Sequence, residues 1–505
     1  MATKYHQAAC LGWVFSTTEC GIAALSATGK EAYASVEMQG QATWHEWPTH
    51  YLQHVPEMIE TVLRKLQQQG WRFDQPGFLS QSWRQHDLAL VGMDDDPLVP
   101  APSWQCNGGQ HEARVLNRDV ANFAKTVGRI EPRFVAAKLP WVLAQMPGLQ
   151  KELQRVVLSG DWVAGKLTGK WHLSASDALC NGLLCQSTRQ LATTALRQAN
   201  RKLGGRLNPK WFPDPIPSHA VVGRVRANRQ ATWTSLTQKL KGWRVVAALG
   251  DNQATAAGCG ATDLQTLVVS LGTSGTINRI VPTSARLRGK AAAFEYWDHR
   301  LLLMMLGHCA SWYNLFCNNY AAGLSHKTLN SLAKTADLSK IRRVACPPDQ
   351  VQAHDAFAWP VLDRLAQPEQ VASVQISIAR EMLLRVQAMH QEVKGPSADL
   401  KRVILTGGLS QAPLVRAVLS CGVKHLLPQA TLWLNQRPGP LAVKTDALGA
   451  LYNALAAATK STVPEVIEKH SKLKKCRPTM ADRTNQIDAL LTSDKNWSLD
   501  VPAQR

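Results

Sequence analysis

Gly250-Asp251-Asn252-Gln253-Ala254, followed by Ser270-Leu271-Gly272-Thr273-Ser274-Gly275, sets a lone carboxylate upstream of a small, hydroxyl-rich glycine turn. The apolar run 243–249 reads as a buried strand ending at Gly250, and the alanine-rich stretch 253–259 reads as the start of a helix. Asp251 therefore falls at a strand-to-helix junction. A carboxylate there can take a proton from a substrate hydroxyl, or it can simply cap the helix, which is the commoner use of an isolated Asp.

Other turns supply context. Leu11-Gly12-Trp13-Val14-Phe15-Ser16-Thr17-Thr18 also carries an apolar strand into a small hydroxyl-bearing turn, as 268–274 does half a chain later. Backbone N–H groups in such turns, with hydroxyls beside them, cradle phosphate oxygens. One such turn is ordinary hairpin chemistry; two, half a chain apart, suggest duplicated domains. A third element, Arg402-Val403-Ile404-Leu405-Thr406-Gly407-Gly408-Leu409-Ser410, is a strand running into a Gly-Gly turn, with an apolar helix pattern after it.

Taken in order, these segments resemble the FGGY family of carbohydrate kinases, the xylulose kinases above all, over residues 11–458. Gly12 to Thr17 is similar to the family's first phosphate motif, Gly250 to Ala254 to its catalytic segment and Leu271 to Gly275 to its second phosphate motif. Thr406 to Ser410 is similar to its adenosine motif, and Asp446-Ala447-Leu448-Gly449-Ala450 to its closing alanine-rich helix. The resemblance implies an α/β chain of two actin-like ATPase (RNase H-like) lobes with a cleft between them, closing on ATP, Mg2+ and a small sugar. It makes Asp251 the general base and places Gln85, His86, Trp104 and Asn252 against the sugar. Ser16, Thr17, Thr18, Gly272, Thr273, Ser274, Gly407, Gly408 and Ser410 fall to ATP. The metal ligands are left unassigned.

Three positions depart from the family pattern. Val14 stands where the first phosphate motif has an Asp, and a branched apolar group neither coordinates a cation nor accepts a hydrogen bond. Asp87 replaces the Gly after the motif His. The family's Trp-x-Asp-x-Arg reads Trp104-Gln105-Cys106-Asn107-Gly108, without its charged pair. Losing one transition-state electrostatic contact costs on the order of 10²- to 10³-fold in rate. Two readings follow: a slow kinase acting on a pentulose such as D-xylulose, or a kinase-shaped protein that binds nucleotide or sugar without turnover.

At 505 residues the chain exceeds what one core serves. The expected division is a first lobe over 1–256, a second over 257–462 and a tail over 463–505 of unread role. No run of about 18 apolar residues suggests a membrane span, the N-terminus runs directly into the first predicted strand, and eleven scattered cysteines without a Cys-x-x-Cys pair fit a reduced cytoplasm. The formal charge of +20 could draw the chain to nucleic acid, yet the basic residues are dispersed, the one dense run (469–477) lies in the tail, and no nucleic-acid motif accompanies them. The expected partners are sugar and ATP; a homodimer is compatible with the sequence.

Locally, 8–15, 21–25 and 32–38 read as strands, 55–68 as a helix with Val55, Ile59, Val62 and Leu66 on one face, and 369–393 as the most regular helix, stopped by Gly395-Pro396. Asp94-Asp95-Asp96-Pro97 reads as a hairpin tip rather than a metal cluster. The Pro-, Gly- and Lys/Arg-rich stretch 200–217 reads as a surface connection, and 463–470 as a short helix.

Overall fold

The computed structural model describes all residues except 1–4, 39–40, 45–46, 51, 349–350, 352–354, 395–398, 436, 438, 477–479, 495–496 and 500–505. The helix stop expected at Gly395-Pro396 and part of the basic run 469–477 lie outside the described residues. The chain forms two compact units. One comprises Met1–Gly258, Ala293–Arg300 and Lys444–His470; the other comprises Cys259–Ala292, Leu301–Val443 and Ser471–Arg505. The linear expectation of 1–256 and 257–462 lacks two crossings: a hairpin tip and the alanine-rich helix both group with the first unit.

The first unit is organised on an eight-stranded sheet. Strand His6–Phe15 pairs antiparallel with Glu19–Ser26, which pairs antiparallel with Glu31–Glu37, while on its other edge it runs parallel to Phe78–Trp83. Phe78–Trp83 in turn lies parallel to Arg244–Val246 and Leu249–Gly250. Leu11, Trp13, Val14 and Phe15 are all buried, as expected of an inner strand covered on both faces. Helix Val55–Gln68 begins with a Pro in its first turn and buries Val55, Ile59, Val62 and Leu66 against this sheet.

A second core in the same unit gathers helices between residues 110 and 202. It also corrects the reading of 200–217 as a mere surface connection: Leu203, Leu207 and Phe212 are buried in it, and Pro215–Ile216 pairs with Leu173–Ser174. Hydrophobic side chains spaced among Pro and Gly carry no period, which hid their burial.

The second unit repeats the pairing logic. Strand Thr266–Leu271 turns antiparallel into Gly275–Pro282 and runs parallel to Arg402–Thr406, itself parallel to Thr431–Asn435. In each unit, then, a first strand makes a hairpin through a small hydroxyl-bearing turn and then pairs in parallel with later strands. Helix Gln367–Glu392 buries Val371, Val374, Ile378, Met382, Val386 and Met389, so its methionines are core. No described helix is long and apolar enough to cross a membrane.

Helix Thr445–Thr459 sets the spacing in the first unit. A Cβ on Gly449 would overlap the Ala254 carbonyl, one on Gly258 the Thr445 carbonyl, and one on Gly12 the backbone of Ala447 and Leu451. Backbone meets backbone at all three positions, so neither side can yield. Gly449→Ala is expected to destabilise the protein by about 3 kcal/mol, the upper end of what overpacking costs. Gly148→Ala, where an added methyl meets open space, should fall within about 0.5 kcal/mol of wild type. Urea unfolding of the two variants checks this; equal midpoints would refute the close packing.

Candidate active site

Strand Leu249–Gly250 delivers the chain into helix Asp251–Gly258. A side chain at position 250 would displace the amides of Gln85 and Gln253. Asp251 Oδ1 accepts from the backbone N–H of Asn252 at 2.9 Å and from its amide Nδ2 at 3.1 Å. That amide also donates to Gln85 Oε1 at 2.8 Å, Gln85 Nε2 donates to Gln253 Oε1 at 2.6 Å, and Gln253 Nε2 donates to the Ser176 carbonyl at 2.6 Å. Ser176 Oγ accepts from Gly250 N–H at 3.0 Å, closing the belt. Of the residues assigned to the sugar, Asp251, Asn252 and Gln85 are therefore brought into one hydrogen-bonded chain.

Asp251 titrates far above an ordinary carboxylate, at about 7. Burial is the main cause, and the charges of Asp446 and Asp87 push the same way against hydrogen bonds from Asn252 and Gln85. A carboxylate poised near neutrality suits general-base work.

His86 follows Gln85 in the left-handed region, at φ 69°, where non-glycine residues are uncommon. Its ring stacks on Phe134, with centroids 4.8 Å apart. Asn181 Oδ1 lies 3.0 Å from His86 Nδ1 and accepts from Val135 N–H at 3.0 Å, while its Nδ2 donates to Asp177. The amide orientation makes His86 Nδ1 the donor. Burial, with the charges of Arg133 and Lys138, holds the imidazole well below its usual pKa, so it is neutral. Lys138 fastens the loop: its Nζ donates to the carbonyls of His86 at 2.5 Å and Ser103 at 2.8 Å, and burial brings it down to about 8.

Trp104 reaches the first hydroxyl turn, its indole N–H donating to Thr17 Oγ1 at 3.3 Å, and its backbone N–H donates to Asp87 at 2.7 Å. Ser16 is used by the turn itself: its Oγ accepts from the N–H groups of Thr18 and Glu19. Thr18 is exposed. Val14 is sealed between strands, its Cγ1 3.0 Å from where a Gly21 Cβ would stand. It offers a cation nothing. The charge of Asp446 reaches Asp251, and carboxylate oxygens of this kind fit a hard divalent cation.

In the second unit, Gly272 and Thr273 turn the strand, and their carbonyls accept from Ala310, Cys309 and Ser311 N–H groups, docking the start of helix Ala310–Tyr320 on the turn. Gly407, at φ 86°, packs so tightly on this turn that a Cβ would stand 2.5 Å from the Leu271 carbonyl carbon. The structure thus joins the turn at 272–274 to the 407–410 turn. Gly408 faces open space. Ser410 is buried and its hydroxyl donates to the Gly407 carbonyl at 2.6 Å, which makes it a brace of the turn.

Several groups at the site were missed by reading the sequence. Asp177, Asn181 and Ser176 sit in a short polar run, and Lys138 is a lone cation in the apolar run 135–143, which was the available signal. Ligand-type atoms of His86, Asp177 and Cys180 lie within 4.8 Å of one another. Burial raises Asp177 and Cys180 well above their ordinary pKa values and His86 Nδ1 is committed to Asn181, so the trio forms a hydrogen-bonded cluster. The triple Asp tip disperses as expected: Asp95 pairs with Arg155 and Asp96 with Lys166 at 2.7 Å.

The departure at position 87 has a structural counterpart. Asp87 is fully buried, and its Oδ2 lies 2.8 Å from Nε of the equally buried Arg84. Removing one member of a buried pair strands the other charge. Arg84→Met and Asp87→Leu are each expected to destabilise by about 3–5 kcal/mol, and the double variant by much less than their sum. Chemical denaturation of the three variants gives the coupling; additive losses would mean that the pair does not act as a unit.

Comparison with known proteins fits this geometry. The sequence pattern of the "FGGY family of carbohydrate kinases, N-terminal domain" matches residues 23–258. A xylulose kinase of Escherichia coli (strain K12) is 25% identical over 234 residues, 45% of this chain and 46% of that protein. One from Lactococcus lactis subsp. lactis is 23% identical over 320 residues, 60% of this chain and 59% of that protein. The matches thus span about half the length of these relatives. Among solved structures, a ligand-bound xylulose kinase from Lactobacillus acidophilus superposes with a TM-score of 0.75 at 16% identity, covering 96% of both chains. A Plasmodium falciparum glycerol kinase with ADP gives 0.72 at 11% identity, covering 92% of both. Residues 23–258 thus match the N-terminal domain pattern of the FGGY family of carbohydrate kinases, and the chain as a whole shares the two-lobed actin-like ATPase fold of the solved carbohydrate kinases on which it superposes.

Proposed function

We propose that this protein transfers the γ-phosphoryl group of ATP to a hydroxyl of a small sugar, with a pentulose such as D-xylulose as the favoured substrate. The observation that carries the reading is Asp251, held near neutrality at the head of its helix, with Asn252 and Gln85 locked beside it. Asp251 takes the proton of the attacking hydroxyl. Asn252, Gln85, neutral His86 and Trp104 orient the sugar. Thr17 and Thr18 in the first unit, and Gly272, Thr273, Ser274, Gly407 and Gly408 in the second, serve ATP, with Ser16 and Ser410 shaping their turns. Mg2+, when bound with the nucleotide, neutralises phosphate charge; Asp446 and Asp251 are the residues that would hold it, since Val14 cannot. The names of relatives support the sugar class: xylulose kinases recur among them.

The burial of Val14 favours a second reading, a protein that binds nucleotide or sugar without turnover. Coupled ADP release with Mg-ATP against pentuloses, heptuloses and polyols separates the two. Sugar-dependent turnover is expected, and Asp251→Asn should lower it by about 10²- to 10⁴-fold. No turnover, with measurable ATP binding, would favour the binding protein.

The pH profile tests the base. Asp251 works only when deprotonated, so kcat/KM should rise with pH up to a limb at or below about 7, a bound cation drawing it downward. With Mg2+ kept saturating, Asp446→Asn removes a charge that raises Asp251 and should move this limb to lower pH. The same variant should weaken Mn2+ binding followed by electron paramagnetic resonance. An unmoved limb would sink the coupling, and unchanged Mn2+ affinity the assignment of the metal.

A further inference from the structure

The second unit carries a cavity of about 760 Å3, and none of the residues assigned to sugar or ATP lines it. Three arginines, Arg342, Arg343 and Arg483, line it together with Leu338, Leu490 and Trp497; one nitrogen of Arg342 donates to the Lys340 and Ile341 carbonyls. A volume of this size holds a small organic molecule.

Both walls are fixed by hydrogen bonds before any ligand arrives. One wall is the irregular strap 336–344, tied to helix Gln367–Glu392 at three successive turns. Asp337 N–H donates to Glu369 Oε1 at 2.8 Å, and the N–H groups of Arg342 and Val344 donate to the hydroxyls of Ser373 and Ser377 at 2.9 Å each. The other wall is helix Thr484–Ser493 with Trp497 behind it. Arg483 joins the walls by donating to the carbonyls of Lys334 and Ala336, and Arg380 donates to the carbonyls of Trp497 and Ser498.

The charge here is out of balance. Glu381 is the carboxylate within reach of three guanidiniums, at 3.4 Å from Arg343, 3.5 Å from Arg380 and 3.1 Å from Arg385. Arg380 Nη1 is buried without a hydrogen-bond partner. Asp337, one of two carboxylates on the cavity wall, is met by Lys340 at 3.3 Å; Asp494 is the other. A cationic rim in excess over its acids, above an apolar wall, calls for a ligand with concentrated negative charge and a carbon body. Arginine forks match phosphate oxygens.

We propose that this cavity is a second ligand site, built for a small phosphorylated organic anion. Its walls are pre-formed, so little ordering opposes binding, and the rim would engage the phosphate while Leu338, Leu490 and Trp497 cover the carbon skeleton.

The test is isothermal titration of the full chain with 3-phosphoglycerate as probe, with and without a saturating non-hydrolysable ATP analogue. One binding event that survives the analogue and weakens with added salt is expected. The double variant Arg342→Ala/Arg343→Ala should weaken it by about tenfold or more. Ala489→Trp, at an exposed helix position on the cavity wall, should block it sterically while leaving the fold intact by circular dichroism. Absence of binding at millimolar probe, displacement by the analogue, or unchanged affinity in both variants would each overturn the proposal.

Discussion

Three glycines without room for a side chain decide where the chemistry of the first unit can stand. Gly12, Gly258 and Gly449 let helix Thr445–Thr459 press its backbone against strand His6–Phe15 and helix Asp251–Gly258. Backbone contact at this range fixes position with little tolerance, because no rotamer can absorb an added atom. The same helix sends the Asn453 amide to Ser80 Oγ and to the carbonyls of Ser218 and Ala247, at 2.9–3.2 Å. Its first turn then places Asp446 where its charge reaches Asp251. The raised basicity of Asp251 is thus a product of packing as well as burial.

What could be read in the sequence was what local pattern encodes. Helix 55–68 was legible to its end residues, because its apolar stripe, its early Pro and the glycine beyond its end agree. The strand read over 243–249 was less faithful: it is two short pieces, Arg244–Val246 and Leu249–Gly250. The carbonyl of Ala247 is taken by Ser80 and Asn453, and its N–H by the Ala220 carbonyl. Those partners lie far off in sequence, so periodicity carries no trace of the break.

The site divides the same way. Asp251 announces itself as a carboxylate at a strand-to-helix junction, and Gly407 through a left-handed backbone that restricts residue type. Asn181 and Ser176 act through bonds spanning tens of residues, and nothing local distinguishes them from ordinary polar residues; Lys138 is marked only by its apolar surroundings. Ser410 shows the converse. Its motif position points to the nucleotide, yet its hydroxyl closes its own turn.

Position 14 shows how far a departure from a motif extends. Val14 pairs across from Gly21, and the Tyr33 hydroxyl crowds the face of Gly21 where a Cβ would point. Tyr33 donates to Glu19 Oε1 at 2.7 Å, and Lys444 Nζ lies 2.5 Å from the same oxygen. Glu19 raises the pKa of Asp446 while Lys444 lowers it. Around an apolar residue that holds no ion, the polar groups are therefore paired with one another rather than left stranded. A carboxylate at 446 also differs physically from one at 14. It sits in the first turn of a helix, where the N-terminal dipole favours its ionised form, whereas a strand carboxylate at 14 would be buried with no such help. Burial works against that dipole and holds Asp446 above an ordinary carboxylate. The acid that raises Asp251 thus stands on a helix that Gly12 holds in backbone contact with the strand of Val14.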